Sequence, residues 1–228
     1  RPPERDRRGP ADRPRCRVVT WACDTERFRP LSRPAPARRL VVAFSGSFRS
    51  WHGVDRLPEL ARLLPEAFFL CLGDGDRFSA VQAEAKRLGV SDAFRFAGKV
   101  APEGMPALLA SAHVGIAPFQ VASYPPFARF GFYYSPLKIF EYMACGLPVV
   151  ATRCPELAAI VKEGETGHLV PEGDLEAMAS ALRRLTGPGR ETRDRMGKAA
   201  RADAEARFSW SAHAADRERI LEEAVRCG

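Results

Sequence analysis

The chain has 228 residues, 46% hydrophobic and 28% charged, long enough to bury about 70% of its unfolded surface without disulfide or metal staples. Its formal net charge of +7 is local: residues 1–39 hold 12 Arg against 5 acidic residues, whereas residues 40–228 hold 23 basic and 23 acidic. A neutral globular part argues against nucleic acid as a partner, and no apolar run approaches the ~20 residues of a membrane span.

Residues 1–17 form a basic Pro/Arg-rich head without apolar periodicity, expected to be disordered. Residues 18–228 read as one domain. Val18–Ala22 is a strand candidate, and residues 31–39 a connector. Then apolar runs and amphipathic stretches alternate. LVVAFSG from Leu40 is expected as a buried strand, followed by a helix from Gly53 to Leu64. A strand from Phe68 to Gly73, a helix from Arg77 to Leu88 and a strand from Phe94 to Val100 come next. A short helix from Met105 and a strand from Val114 to Phe119 precede an aromatic insert, Gln120–Tyr134. After it come a helix, a strand at Val149–Ala151, a helix from Pro155 to Lys162 and a strand at His168–Val170. Three helices close the chain. This alternation predicts an α/β fold, a Rossmann-like parallel sheet with helices on both faces. Such sheets bind ligands at the carboxyl ends of their strands.

Six cysteines, at 16, 23, 71, 145, 154 and 227, show no metal-ligand spacing with the four histidines. A reduced, cytoplasmic protein with no metal site is the expectation.

The most informative stretch is YSPLKIFEYMACGLPVVAT, from Tyr134 to Thr152. Ser135 is placed to cap a helix, with Pro136 at its first position. Leu137, Phe140, Met143 and Ala144 form an apolar stripe. Gly146 and Pro148 end the helix. Lys138 and Glu141 are three apart and share a face. They are either a solvated ion pair or a recognition pair. A lysine at a helix N-terminus suits phosphate, and a carboxylate one turn on accepts from hydroxyls. Gly46–Gly53 (GSFRSWHG) gives the same choice. It is a turn with Arg49 and His52 that could cradle phosphate, but it matches neither GxxxxGK[ST] nor GxGxxG. All these residues fall at predicted strand ends, and that convergence favours the ligand reading.

In order along the chain, these segments resemble the donor-binding, C-terminal half of GT-B glycosyltransferases of family 4, also called group 1. Asp24-x-x-x-Phe28-x-Pro30, Gly46–Gly53, Leu72-Gly-Asp-Gly75, Phe96-x-Gly98-x-Val100 and Glu141-Tyr-Met-Ala-x-Gly-x-Pro-Val-Val-Ala151 carry the likeness. It covers about residues 18–226. The resemblance implies a retaining enzyme that moves a hexosyl unit from a nucleotide diphosphate sugar without a metal or other cofactor. Glu141 would hold the ribose, and Val100 would line the base. Gly46, Ser47, Arg49, His52, Ser135, Leu137 and Lys138 would surround the diphosphate, with Arg49, His52 and Lys138 as its cations. Three departures stand out. Pro136 replaces a residue whose N–H could have met phosphate. Tyr133 occupies the place of a Glu that often contacts the donor sugar, so that role does not transfer. Too few residues precede Val18 to build the acceptor half, so its catalytic residues are unassigned. A separate acceptor-domain chain is one partner this implies, an inactive fragment is the other outcome, and the insert could be a lid or a peripheral membrane contact.

Overall fold

The computed structural model describes residues 19–31, 39–186 and 189–226. The basic head and most of the connector lie outside these residues, as do Cys16 and Cys227. Among the described residues, six strands form one sheet: β1 (Leu40–Ser45), β2 (Ala67–Leu72), β3 (Phe94–Phe96), β4 (Val114–Ala117), β5 (Val149–Thr152) and β6 (Gly167–Val170). All pairs are parallel, in the order β3-β2-β1-β4-β5-β6. The chain starts mid-sheet, winds outward to β3, then returns to β4 on the other side of β1. The reversal opens a crevice beyond the ends of β1 and β4, the place where such sheets take ligands.

The helices are α1 (Leu57–Leu63), α2 (Phe78–Arg87), α3 (Met105–Ala110), α4 (Pro125–Phe130), α5 (Leu137–Ala144), α6 (Pro155–Ala158), α7 (Leu175–Arg183), α8 (Arg190–Arg207) and α9 (Trp210–Arg226). Strand alternation sends successive side chains to opposite faces. Val42, Phe44, Phe69, Cys71, Val114 and Ile116 join α1, α2 and α7 in one core. Ala43, Leu70, Leu72, Ala117 and Val149 join α3, α5 and α8 in the other. Both cores are needed because a parallel sheet must be covered on each face.

The structure corrects several expected elements. The Val18–Ala22 strand is absent from residues 19–22; only Cys23 pairs, in a single parallel bridge to Ser209. It docks beside the end of α8, not on a sheet edge, with Cys23 N–H donating to Phe208 O at 2.8 Å. β3 stops at Phe96 because Gly98, with φ 64°, turns the chain. The helix expected from Gly53 begins as two 3-10 turns, Ser50–His52 and Val54–Arg56, before α1. α6 is a single turn. Among the described residues, no helix is long and apolar enough to cross a membrane.

Candidate functional site

The loops after β1 and β2 touch backbone to backbone. A Cβ on Gly73 would lie 2.0 Å from Gly46 O, and one on Gly75 would lie 2.7 Å from Phe48 O. Gly46 N–H donates to Leu72 O at 2.9 Å. These glycines therefore have a packing reason before any ligand is considered. Phe48 anchors the loop, its ring 5.4 Å from Phe44 and 5.0 Å from Phe78. Ser47 and Arg49 stand exposed at the rim.

Gly46 also makes room for charge. A Cβ there would sit 2.9 Å from Lys138 Nζ and 3.6 Å from the His52 ring. Gly46, His52 and Lys138 thus meet in the crevice between β1 and β4. Lys138 is only 7% exposed, and its Nζ has no hydrogen-bond partner among the described residues. The ammonium lies 4.2 Å from the Phe44 ring centre and 5.2 Å from that of Phe119. Burial pulls its pKa down to about 7, against the pull of Glu141. The solvated ion pair is therefore not what forms. Glu141 is half-buried, and burial pushes its pKa up to about 7, opposed by Lys138 and Arg27.

His52 was expected as a cation and is not one. The ring is 2% exposed. Its Nδ1 faces Ser47 O; a carbonyl only accepts, so Nδ1 carries the proton. Nε2 is then a lone-pair acceptor, buried and without a partner among the described residues. Burial, reinforced by Lys138, pushes the pKa down to about 3.

The helix start is also corrected. α5 begins at Leu137 with Pro136 as its cap residue, and no side chain caps it. Pro136, at φ −82° and ψ 68°, is not helical. The Ser135 hydroxyl instead accepts from Trp21 N–H at 3.3 Å. Ser135 lines a separate groove of about 640 Å³ with Trp21, Tyr133, Tyr134 and Phe208. Leu137 is 39% exposed and leaves the predicted stripe, while Ile139 and Tyr142 are buried with Phe140, Met143 and Ala144. The stripe fails because α5 is buried on two sides: Tyr142 faces β1 and β4, while Phe140 stacks on Phe208 at the end of α8, ring centres 4.4 Å apart. Val100 sits half-buried in the loop after β3, packed against the α5 core. Nearby in sequence, Glu103 pairs with Arg27 at 3.8 Å.

Sequence reasoning missed two residues. Tyr142 lies flat on β4, where a Cβ on Gly115 would be 2.2 Å from its ring. Its hydroxyl accepts from Ser45 N–H at 2.7 Å, fixing the end of β1 to α5. A lone glycine inside a buried strand was the available signal. The other is Glu172, whose partners lie about fifty residues away in sequence.

Residues 39–187 match the model of the family "Glycosyl transferases group 1". This chain belongs to that family. It is 33% identical over 175 residues to a phosphatidyl-myo-inositol mannosyltransferase of Mycobacterium leprae, covering 77% of this chain and 43% of that protein. It spans about half the length of the curated relatives it matches. A sucrose-phosphate synthase from Thermosynechococcus elongatus superposes with a TM-score of 0.76 at 24% identity, covering 93% of this chain and 53% of that one. Anabaena HepE in complex with UDP superposes at 0.73 and 20% identity, covering 89% and 56%. Both structural matches establish the fold, the Rossmann-like half of a GT-B architecture.

Proposed function

We propose that this chain is the donor-binding part of a retaining sugar transferase that takes a hexosyl unit from a nucleoside diphosphate sugar. The observation that carries the reading is the buried, unpartnered Lys138 Nζ against Gly46, in the crevice where the strand order reverses. A lysine buried without a hydrogen-bonded counter-ion loses more solvation than the Phe44 and Phe119 rings and the distant pull of Glu141 return, as its lowered pKa shows. A diphosphate seated over Gly46 supplies the missing charge and restores the proton.

The other residues take roles around that anion. Glu141 accepts hydrogen bonds from the ribose hydroxyls. Val100 flanks the base. Ser47 and Arg49 reach the phosphates from the rim. His52, neutral, offers Nε2 to the charged Lys138 or to a donor hydroxyl. As the sugar leaves, negative charge grows on the departing diphosphate, and Lys138 and Arg49 stabilise it. Charge neutralisation is thus assigned to side chains and no step to a metal. Family membership supports the transfer chemistry, and the UDP bound by the Anabaena relative supports a nucleotide donor.

The acceptor side must come from elsewhere. α9 has no buried residue, and Trp21, Tyr133 and Trp210 are all strongly exposed. A face of this kind fits an acceptor-binding unit, either in the same polypeptide or in a separate chain.

The test is a thermal-shift panel of UDP, GDP, ADP and their hexose conjugates on wild type and Glu141→Ala. Ligand at 100 times its Kd stabilises by about 2.7 kcal/mol. We expect a shift with one base that Glu141→Ala abolishes. No shift with any nucleotide on the wild-type chain overturns the reading.

A further inference from the structure

The insert between β4 and α5 is held by one carboxylate that no part of the donor site needs for its own packing. Glu172 lies in the loop after β6. Its Oε2 accepts from Val121 N–H at 2.8 Å and from Ala122 N–H at 2.6 Å. Its Oε1 accepts from Ser123 N–H at 3.0 Å and from the Ser123 hydroxyl at 2.8 Å. One side chain thereby takes three successive backbone donors, an arrangement open only to an ionised carboxylate. β4 and β6 flank β5 in the sheet, so the contact ties together loops from either side of that strand, at its carboxyl end.

What the insert carries makes the tie matter. Beyond Ser123, Tyr124, Phe127 and Tyr134 surround Trp51, with ring centres 6.1, 5.3 and 5.0 Å away. Gln120 N–H donates to Trp51 O at 2.9 Å. The Trp51 ring lies tilted against His52 with centres 3.8 Å apart, and Tyr134 stands 6.4 Å from His52. The insert therefore forms an aromatic wall beside the crevice, and Tyr134 runs directly into the segment that starts α5. Its only charge-assisted anchor among the described residues is Glu172.

We propose that Glu172 is a positioning residue that sets this aromatic wall at the sugar end of the donor site, so that it favours the nucleotide sugar over the bare nucleoside diphosphate. The role rests on the donor reading above. Glu172 touches no substrate and acts through the insert. In the donor reading the nucleotide is held by Lys138 and Glu141, which lie on α5 and outside the insert. Loss of Glu172 should therefore cost the sugar and spare the nucleotide.

The experiment compares wild type, Glu172→Gln and Glu172→Asp by calorimetry with UDP against UDP-glucose and GDP against GDP-mannose. Amide exchange at residues 121–123 is followed in parallel. Glu172→Gln keeps the shape but turns an NH2 toward a donor, so it breaks one half of the contact. We expect its preference for the sugar conjugate over the diphosphate to fall about tenfold, with diphosphate affinity within about twofold of wild type. Exchange at 121–123 should rise. Glu172→Asp, which keeps the charge on a shorter arm, should recover part of the preference. Equal weakening of diphosphate and conjugate overturns the proposal, since it means general damage to the site. Faster exchange with an unchanged preference also overturns it, since the tie is then structural alone. Wild type binding no nucleotide removes the donor reading and this role with it, while exchange still reports whether Glu172 holds the loop.

Discussion

Two helices on the same face of the sheet bury charge in opposite ways. α8 carries Asp203, 8% exposed, with Lys162 Nζ on one oxygen at 2.8 Å and Arg207 Nη1 on the other at 2.7 Å. α5 packs against α8, close enough that a Cβ on Gly197 would lie 2.3 Å from Gly146 O. Yet its Lys138 has no hydrogen-bond partner among the described residues, and its Glu141 is pushed toward neutrality. Folding alone explains the first arrangement, because a buried charge is tolerated when it is paired. It does not explain the second. An unmatched buried ion is retained at a cost to stability, and the cost makes sense where a ligand completes the set.

The comparison can be broken at Asp203. Asp203→Ala removes the buried member of both ion pairs and should destabilise by about 2 kcal/mol. That is below the range for a wholly buried pair, because Lys162 keeps Glu165, Arg207 keeps Ala159 O and both cations can turn toward water. Chemical denaturation at neutral pH reads this directly. Nucleotide affinity should be unchanged. A loss of affinity would mean that the two helices are not separable as structure and site.

Lys138→Met should do the reverse. It should raise stability at pH 7 by about 2 kcal/mol while abolishing nucleotide binding. The sign follows from linkage. Lys138 loses its proton near pH 7 in the folded chain, against 10.5 for the free group. Between those values the unfolded chain binds the extra proton, so the contribution of Lys138 to stability rises with pH across the window. The cost is complete below pH 7 and gone above 10.5. Glu141 and His52 titrate at or below about 7. Burial, however, holds the protons of Cys23, Cys71, Cys145, Cys154 and Tyr142 beyond the pH at which the unfolded chain releases them. Stability therefore falls again above about pH 8.5, and the clean window ends there. Denaturation midpoints from pH 7 to about 8.5 should climb for wild type and stay flat for the Met variant, with both falling at higher pH as the unfolded chain's thiols ionise.

The sheet was legible because β1, β2, β4 and β5 are mostly apolar runs closed by turn residues, and that pattern depends only on neighbours in sequence. The organising helix and its Gly146 stop were legible for the same reason, and Gly146 does take φ 71°. The state of the charged residues was not. Whether Lys138 is solvated or buried depends on Phe44, Phe119 and Gly46, which come from other strands and loops. His52 read as a cation because its ring burial and its bond to Ser47 O are invisible in GSFRSWHG. Ser135 read as a cap because its true partner, Trp21, is 114 residues away. Local signals placed the residues at the right end of the sheet and misjudged their protonation and their partners.

The smallest expected effect concerns how α8 seals α5. Arg201 Nη1 donates to Thr25 O, Phe28 O and Ala144 O at 2.8, 2.7 and 2.8 Å. It fastens the segment around residues 25–28 to the end of α5. Cys23 and Arg27, at the edges of that segment, lie near enough to Glu141 to interact with its charge. Arg201→Lys keeps the charge but loses the planar fork, and should cost about 1 kcal/mol. Loosening the segment admits water to Glu141. Burial is the larger influence on that carboxyl and Arg27 the smaller, so its pKa should fall from about 7 toward its free value. A pH titration of Glu141 by carboxyl carbon NMR in the two proteins measures the shift. An unchanged midpoint would mean that α5 and the sheet bury Glu141 by themselves, and that α8 shapes the fold without tuning the site.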